Sequence, residues 1–152
     1  MTPSKVINAL MILLVVIIIV APQAVLANRG VKIVVTFDYL KYDVEPLLCP
    51  GDTIYSLVPP GVDPHDYELR PNDLGLLRTS DIIISTAHAP FEVKIRDLYL
   101  RGELGNVTLI EIPYVSGVKI YINPSLDKPN LHAVTYDPNN LIIFIKSVAN
   151  AL

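Results

Sequence analysis

Four short apolar runs rich in β-branched residues constrain the fold of this chain more than any other feature. They are VKIVVTF (31–37), TIYSLV (53–58), DIIIS (81–85) and VTLI (107–110). The first of them is a continuous apolar run, which is typical of a strand covered on both faces in a parallel sheet. Segments with helical character separate the runs in the middle of the chain. The pattern therefore predicts an α/β fold, with an open, mostly parallel sheet flanked by helices.

Three segments carry helix signals. A helix is predicted to begin at Pro71, with Asn72 or Asp73 as its N-cap and leucines on its buried side. The spacing of apolar residues predicts a second helix over 91–100. A third is predicted over 139–152, directly after a proline that suits a helix N-terminus.

Two further segments give less regular patterns. Residues 38–48 have the character of a helix that Pro46 would end or kink. The sequence VKIYI (118–122) predicts a short strand among several turn residues. The single cysteine, Cys49, is expected to be partly buried, and it cannot form a disulfide within the chain.

The first 27 residues differ from the rest. Lys5 precedes an unbroken apolar run, Ala9–Val20. This run is short for a membrane span and fits the core of a secretory signal, with small residues that favour cleavage after Ala27. The segment is therefore expected to be a signal peptide or, if the apolar stretch continues past Pro22, a membrane anchor. Either reading predicts an exported protein.

Charge excludes one class of partner. The whole chain has 12 Lys and Arg against 15 Asp and Glu, and removing Lys5 with the leader leaves 11 basic residues. No Lys/Arg cluster is present, whereas binding to nucleic acid requires a concentrated basic face. Nucleic acid is therefore not an expected partner.

The three histidines of the chain, His65, His88 and His132, are the best candidates for chemistry. Each is predicted to lie in a loop, and the first two follow the carboxyl end of a predicted strand. Loops from neighbouring parallel strands meet at that edge of a sheet, where ligands bind. Imidazole is the commonest metal-binding side chain, so the placement favours a site for Zn²⁺ or Mn²⁺. An isolated loop histidine is otherwise a solvated side chain, which remains the alternative for His88.

The stretch LVPPGVDPHDYELRPNDLGLLRTSDIIIS (57–85) resembles the metal-binding subunits of ABC importers for zinc and manganese, the cluster-9 substrate-binding family. The resemblance is most specific at Pro59–Glu68. It implies that His65 is the first metal ligand and His132 the second. His132 is followed by four residues before Asp137, where the family has three. His88 falls where the family more often has Asn-Gly, as a further contact or a bystander.

The same resemblance implies one lobe, 28–138, of a two-lobed protein, with 139–152 as the start of the helix that joins the lobes. The chain is then expected to be truncated before the second lobe. Its expected partner is a membrane ABC permease. A second polypeptide or self-association is expected to supply the missing lobe, because the terminal helix is expected to expose its Leu, Ile and Phe residues.

Two other functions remain as alternatives. One is a metal-dependent hydrolase, with water bound to a metal at the histidines and Asp66 or Glu68 as general base. No H-E-x-x-H motif or nucleophile elbow supports it, and an enzyme is not expected. The other is a membrane-tethered adhesion module, or a truncated lobe, without a tight metal site.

Overall fold

The computed structural model describes residues 29–132 and 134–152. Its main element is a four-stranded parallel sheet with the strand order β2-β1-β3-β4. The strands are β1 (Lys32–Phe37), β2 (Thr53–Val58), β3 (Ile82–Ser85) and β4 (Thr108–Glu111). The predicted α/β fold with a parallel sheet flanked by helices is confirmed. The predicted signal peptide or anchor, 1–27, lies outside the described residues.

In the part of the chain that the structure describes, four α-helices accompany the sheet. They are α1 (Tyr39–Val44), α2 (Pro71–Arg78), α3 (Pro90–Leu100) and α4 (Pro138–Ala151). Short 3₁₀ turns cover Glu45–Leu47, Ile112–Tyr114 and Val134–Tyr136. Within the described part of the chain, no helix is both long enough and apolar enough to span a membrane.

The core lies on both faces of the two central strands. Ile33, Val34 and Val35 of β1 are fully buried, and every residue of β3 is buried. Burial on both faces explains why these strands contain continuous apolar runs. Because the four strands are parallel, their carboxyl ends lie at one edge of the sheet. The loops after β2 and β3 begin at that edge.

Helix α4 belongs to this core. Phe144 and Val148 are fully buried, and Leu141 and Ile145 pack against the core cluster. The expectation that the terminal helix exposes its apolar residues is therefore wrong for most of them, since the helix packs them on its own lobe. Ile142 and Leu152 are the exceptions, with 53% and 40% of their surfaces exposed.

Three local predictions need correction. The N-cap of α2 is Arg70, not Asn72 or Asp73, and Asp73 instead accepts a hydrogen bond from the Arg70 N–H at 2.8 Å. This shift follows from Pro71, which has no N–H and occupies the first helical position. In the predicted strand 118–122 only Ile122 is part of a strand, in the two-residue antiparallel ladder of β5 (Ile122–Asn123) with β6 (Lys128–Pro129). Cys49 is exposed.

Candidate metal site

The three histidines meet at the carboxyl edge of the sheet. One nitrogen from each of His65, His88 and His132 lies within 4.8 Å of the others. The ring centroids of His88 and His132 are 4.4 Å apart, and the His65 ring lies 5.6 Å and 5.4 Å from them. Three loops that are distant in sequence thus place three imidazoles in one cluster, which we call the histidine cluster.

His65 lies on the loop that follows β2. The side chain of Asp63 accepts a hydrogen bond from the His65 N–H at 2.9 Å, which closes a local turn. Tyr67 anchors the loop to the core. Its ring is buried against Phe91, and its hydroxyl donates a hydrogen bond to the Asp73 carboxylate at 2.8 Å. The loop backbone is thus held while the imidazole of His65 remains exposed.

His88 lies on the short loop between β3 and α3. Its side chain is only 10% exposed, and its ring stacks on Phe37 with 4° between the planes and 5.5 Å between the centroids. Ala87 has a φ of 61°, a left-handed conformation that costs energy for a residue with a Cβ. Burial lowers the pKa of His88 below 6.5; Glu92 raises it, and His132 and His65 lower it further. His88 therefore favours the neutral form that binds metal.

Glu92 holds the loop that carries His88. Its carboxylate is fully buried and accepts hydrogen bonds from the backbone N–H groups of Thr86, His88 and Ala89 at 2.7, 2.9 and 3.0 Å. Burial alone would raise the pKa of Glu92. The nearby Thr36 hydroxyl, together with the hydrogen bonds from Ala89, His88 and Thr86, outweighs burial and lowers the pKa of Glu92 below its usual value. Glu92 is thus a charged anchor beneath the cluster.

His132 lies on the segment before α4. Its N–H donates to the side chain of Asn130 at 3.3 Å. Asn140, almost fully buried in the first turn of α4, ties this region together: its amide donates to the carbonyls of Lys119 and Val134, and its oxygen accepts from the Lys119 N–H. The first turn of α4 therefore fixes the chain on the C-terminal side of His132.

Asp137 adds a second restraint. Its side chain caps α4 by accepting a hydrogen bond from the Asn139 N–H at 2.8 Å, and it accepts a second hydrogen bond from the Tyr121 hydroxyl at 2.7 Å. With four residues between it and Asp137, the His132 imidazole reaches the cluster.

Sequence reasoning missed Glu92, Thr86 and Asn140. Glu92 had a recognisable signal, since it stands at the third position of a helix that begins with Pro90, where a carboxylate can accept free N–H groups. Asn140 had no such signal, because it makes two of its three hydrogen bonds to Lys119, 21 residues away in the chain. The proposed general bases, Asp66 and Glu68, do not belong to the cluster, which in the described residues consists of histidines alone.

The cluster suits a metal with imidazole ligands. Zinc–nitrogen bonds of about 2.0–2.1 Å place two ligands of a tetrahedral site about 3.4 Å apart. The histidine nitrogens are within 4.8 Å, so small side-chain rotations bring them to that spacing. Three ligands leave a tetrahedral ion one open position, for water or for a donor outside the described residues.

Comparison with known proteins identifies the family of this chain and the solved structures that share its fold. Residues 33–152 match the model of a family described as the periplasmic component A of a zinc-uptake complex, ZnuA. A crystal structure of ZnuA is 21% identical and superposes with a TM-score of 0.62, covering 80% of this chain and 47% of that one. The Zn(II)-bound AdcA from Streptococcus pneumoniae is 15% identical, with a TM-score of 0.62 over 80% of this chain and 25% of that one.

The periplasmic zinc-binding protein TroA from Treponema pallidum is 18% identical, with a TM-score of 0.61 over 78% of this chain and 42% of that one. At these identities the solved structures establish a shared fold. The chain spans less than half the length of each of these three proteins. On the family match, which covers most of the sequence, this chain belongs to the ZnuA family, the periplasmic component A of zinc-uptake complexes.

Proposed function

We propose that this chain is a lobe of an extracytoplasmic metal-binding protein, that it holds Zn²⁺ at His65, His88 and His132, and that it passes the ion to a membrane ABC importer. One observation carries the proposal: three imidazole nitrogens from three separate loops lie within 4.8 Å of one another. The lobe is 28–138, preceded by an export segment over 1–27 and followed by a joining helix over 139–152.

The ligand set favours zinc over manganese. Imidazole suits Zn²⁺, whereas Mn²⁺ prefers carboxylate, carbonyl and water oxygens. The carboxylate of Glu92 contacts the cluster, 3.6 Å from His88 Nδ1. Its oxygens are already engaged by N–H and O–H donors, so it is not free to bind a metal.

Exposure of the cluster supports capture and release. His65 and His132 are exposed, so an ion can enter and leave without unfolding of the lobe. His88 is held rigidly by Phe37 and by its loop, which reduces the entropy lost when the ligand is fixed. One rigid and two accessible ligands suit a protein that must deliver its metal to a partner.

The test is calorimetric titration of the full chain with Zn²⁺ and, separately, Mn²⁺. A Cys49→Ser background removes the exposed thiol as a competing ligand. Zn²⁺ is expected to bind with one-to-one stoichiometry and much more tightly than Mn²⁺. Removal of a hydrogen-bond partner of a metal ligand typically lowers metal affinity by roughly 10- to 100-fold. We expect a larger loss of Zn²⁺ affinity in each of the ligand variants His65→Ala, His88→Ala and His132→Ala.

Glu68→Gln is the matched control, because Glu68 is exposed on the His65 loop but lies outside the cluster. It is expected to retain the wild-type affinity. Absence of Zn²⁺ binding, or equal affinity for Mn²⁺, would refute the proposal. Wild-type affinity for Zn²⁺ in His88→Ala would show that His88 is not a ligand and that His65 and His132 hold the ion without it.

A further inference from the structure

A hydroxyl group connects the buried carboxylate to the histidine cluster. Thr86 is 3% exposed, and its Oγ1 lies 2.8 Å and 3.0 Å from the two oxygens of Glu92. The same Oγ1 lies 2.7 Å from His88 Nδ1. One oxygen atom thus stands within hydrogen-bond distance of both an acceptor-rich carboxylate and a ring nitrogen.

The direction of these hydrogen bonds follows from the neighbours of Glu92. Backbone N–H groups of Thr86, His88 and Ala89 point at its oxygens, and an N–H can only donate. The Glu92 carboxylate is therefore an acceptor, and the single hydroxyl proton of Thr86 is directed to it. The Thr86 oxygen then has lone pairs, but no proton, to offer His88.

The tautomer of His88 follows in turn. If Nδ1 carried no proton, two lone pairs would face each other across 2.7 Å, which is unfavourable. With the proton on Nδ1, the ring donates to Thr86 and its free lone pair is on Nε2. Which ring nitrogen binds a metal is set by the hydrogen bond that the other nitrogen makes.

We propose that Thr86, held by Glu92, is a positioning residue that fixes His88 as the Nδ1–H tautomer, so that Nε2 is the atom His88 presents to a metal ion beside His65 and His132. This assignment deepens the proposed zinc site and rests on it for its role in binding. Phe37 supports it by holding the ring plane in a stack, and the left-handed turn at Ala87 brings Thr86 and His88 together.

The tautomer is measurable without metal. In the ¹⁵N-labelled full chain at pH 8, two-bond nitrogen–proton correlations of the imidazole distinguish a protonated Nδ1 from a protonated Nε2. His88 is expected to carry its proton on Nδ1 in the wild type and in Thr86→Ser. Thr86→Val has nearly the same shape without the hydroxyl and is expected to show a mixture of tautomers.

Zinc titration supplies the second readout. Thr86→Val is expected to weaken Zn²⁺ binding about 10- to 100-fold, the usual effect of removing a ligand's hydrogen-bond partner, and Thr86→Ser to restore it to within a few-fold. Thr108→Val, at an exposed position in β4, is the control for the substitution itself and is expected to bind as the wild type does.

Each possible result supports or overturns the assignment of the His88 tautomer. A protonated Nε2 on His88 in the wild type would overturn the proposal, as would wild-type zinc affinity in a folded Thr86→Val variant. If Thr86→Val fails to fold, the wild-type tautomer and the Thr86→Ser titration still decide. A wild-type chain that binds no zinc would refute the proposed function, while the metal-free tautomer would separately confirm or refute the hydrogen-bond arrangement.

Discussion

The carboxylate of Glu92 accepts a hydrogen bond from the backbone N–H of His88 at 2.9 Å, so the most buried acid of the lobe directly holds the loop of a candidate metal ligand. The same carboxylate accepts hydrogen bonds from two other backbone N–H groups and from the hydroxyls of Ser85 and Thr86. A buried charge is tolerated because these donors replace its hydration.

Glu92→Gln is expected to destabilise the lobe by roughly 1–3 kcal/mol, because the amide group directs N–H donors at backbone N–H donors. Urea denaturation followed by circular dichroism measures the loss. Glu68→Gln makes the same chemical change at an exposed position and is expected to have no effect. Equal stability of Glu92→Gln and the wild type would contradict the anchoring role of Glu92.

The stability of the metal-free protein is expected to fall as the pH is lowered from about 7 to 5.5. Burial holds the pKa of His88 below 6.5, so in this window the unfolded chain takes up a proton that folded His88 does not. This contribution is fully present above pH 6.5 and is lost below it. His65 and His132 reinforce the shift, and Glu92 opposes it.

His88→Asn removes the titrating group and is expected to flatten that pH dependence. Free energies of unfolding at pH 7.0, 6.5, 6.0 and 5.5, with a chelator present, provide the comparison. The wild type and His88→Asn losing stability in parallel over this range would show that His88 is not the source.

Gly30→Ala is expected to destabilise the fold by several kcal/mol. A Cβ on Gly30 would lie 1.8 Å from the carbonyl oxygen of Gly51. That oxygen belongs to the backbone and a Cβ has no rotatable bond to move it away, so the chain must shift. Gly75 is the matched control, since a Cβ there meets nothing within 4 Å and the residue lies inside α2.

Gly75→Ala is accordingly expected to stabilise the protein by about 0.5–1 kcal/mol, through the higher helix propensity of alanine. Thermal unfolding of the wild type, Gly30→Ala and Gly75→Ala measures both changes in stability. A Gly30→Ala protein as stable as the wild type would mean that the two backbone segments do not approach so closely.

Asn140→Ala is expected to lower the free energy of unfolding by roughly 1–3 kcal/mol, because it removes the hydrogen bonds to Lys119 and Val134. It is also expected to weaken Zn²⁺ binding, because the segment that follows His132 is no longer held in place. Denaturation and zinc titration measure the two effects. Asn139→Ala, one residue earlier on an exposed face, is the control for both. Loss of stability with unchanged zinc affinity would show that Asn140 supports the fold but not the position of His132.

Local sequence predicted the sheet well because its strands are rich in β-branched residues and the two central strands, buried on both faces, form continuous apolar runs. The run TIYSLV was predicted with the bounds that β2 has. The segment 118–122 was predicted less well, because pairing of β5 depends on a partner, Lys128–Pro129, that propensity does not identify. The N-cap of α2 was misplaced because Tyr67 and Arg70, outside the helix, engage Asp73.

By itself, the sequence determined the parallel α/β class, the placement of the histidines in loops and the resemblance that singled out His65 and His132, because these depend on local patterns. Only the tertiary structure decided that His88 joins them, that Thr86 and Glu92 hold its loop, and that Asn140 fixes the segment after His132. These features are contacts between segments far apart in the chain or side-chain directions within a loop. They arise from packing and hydrogen bonding in three dimensions, for which the local sequence carries one signal, the position of Glu92 in the first turn of its helix.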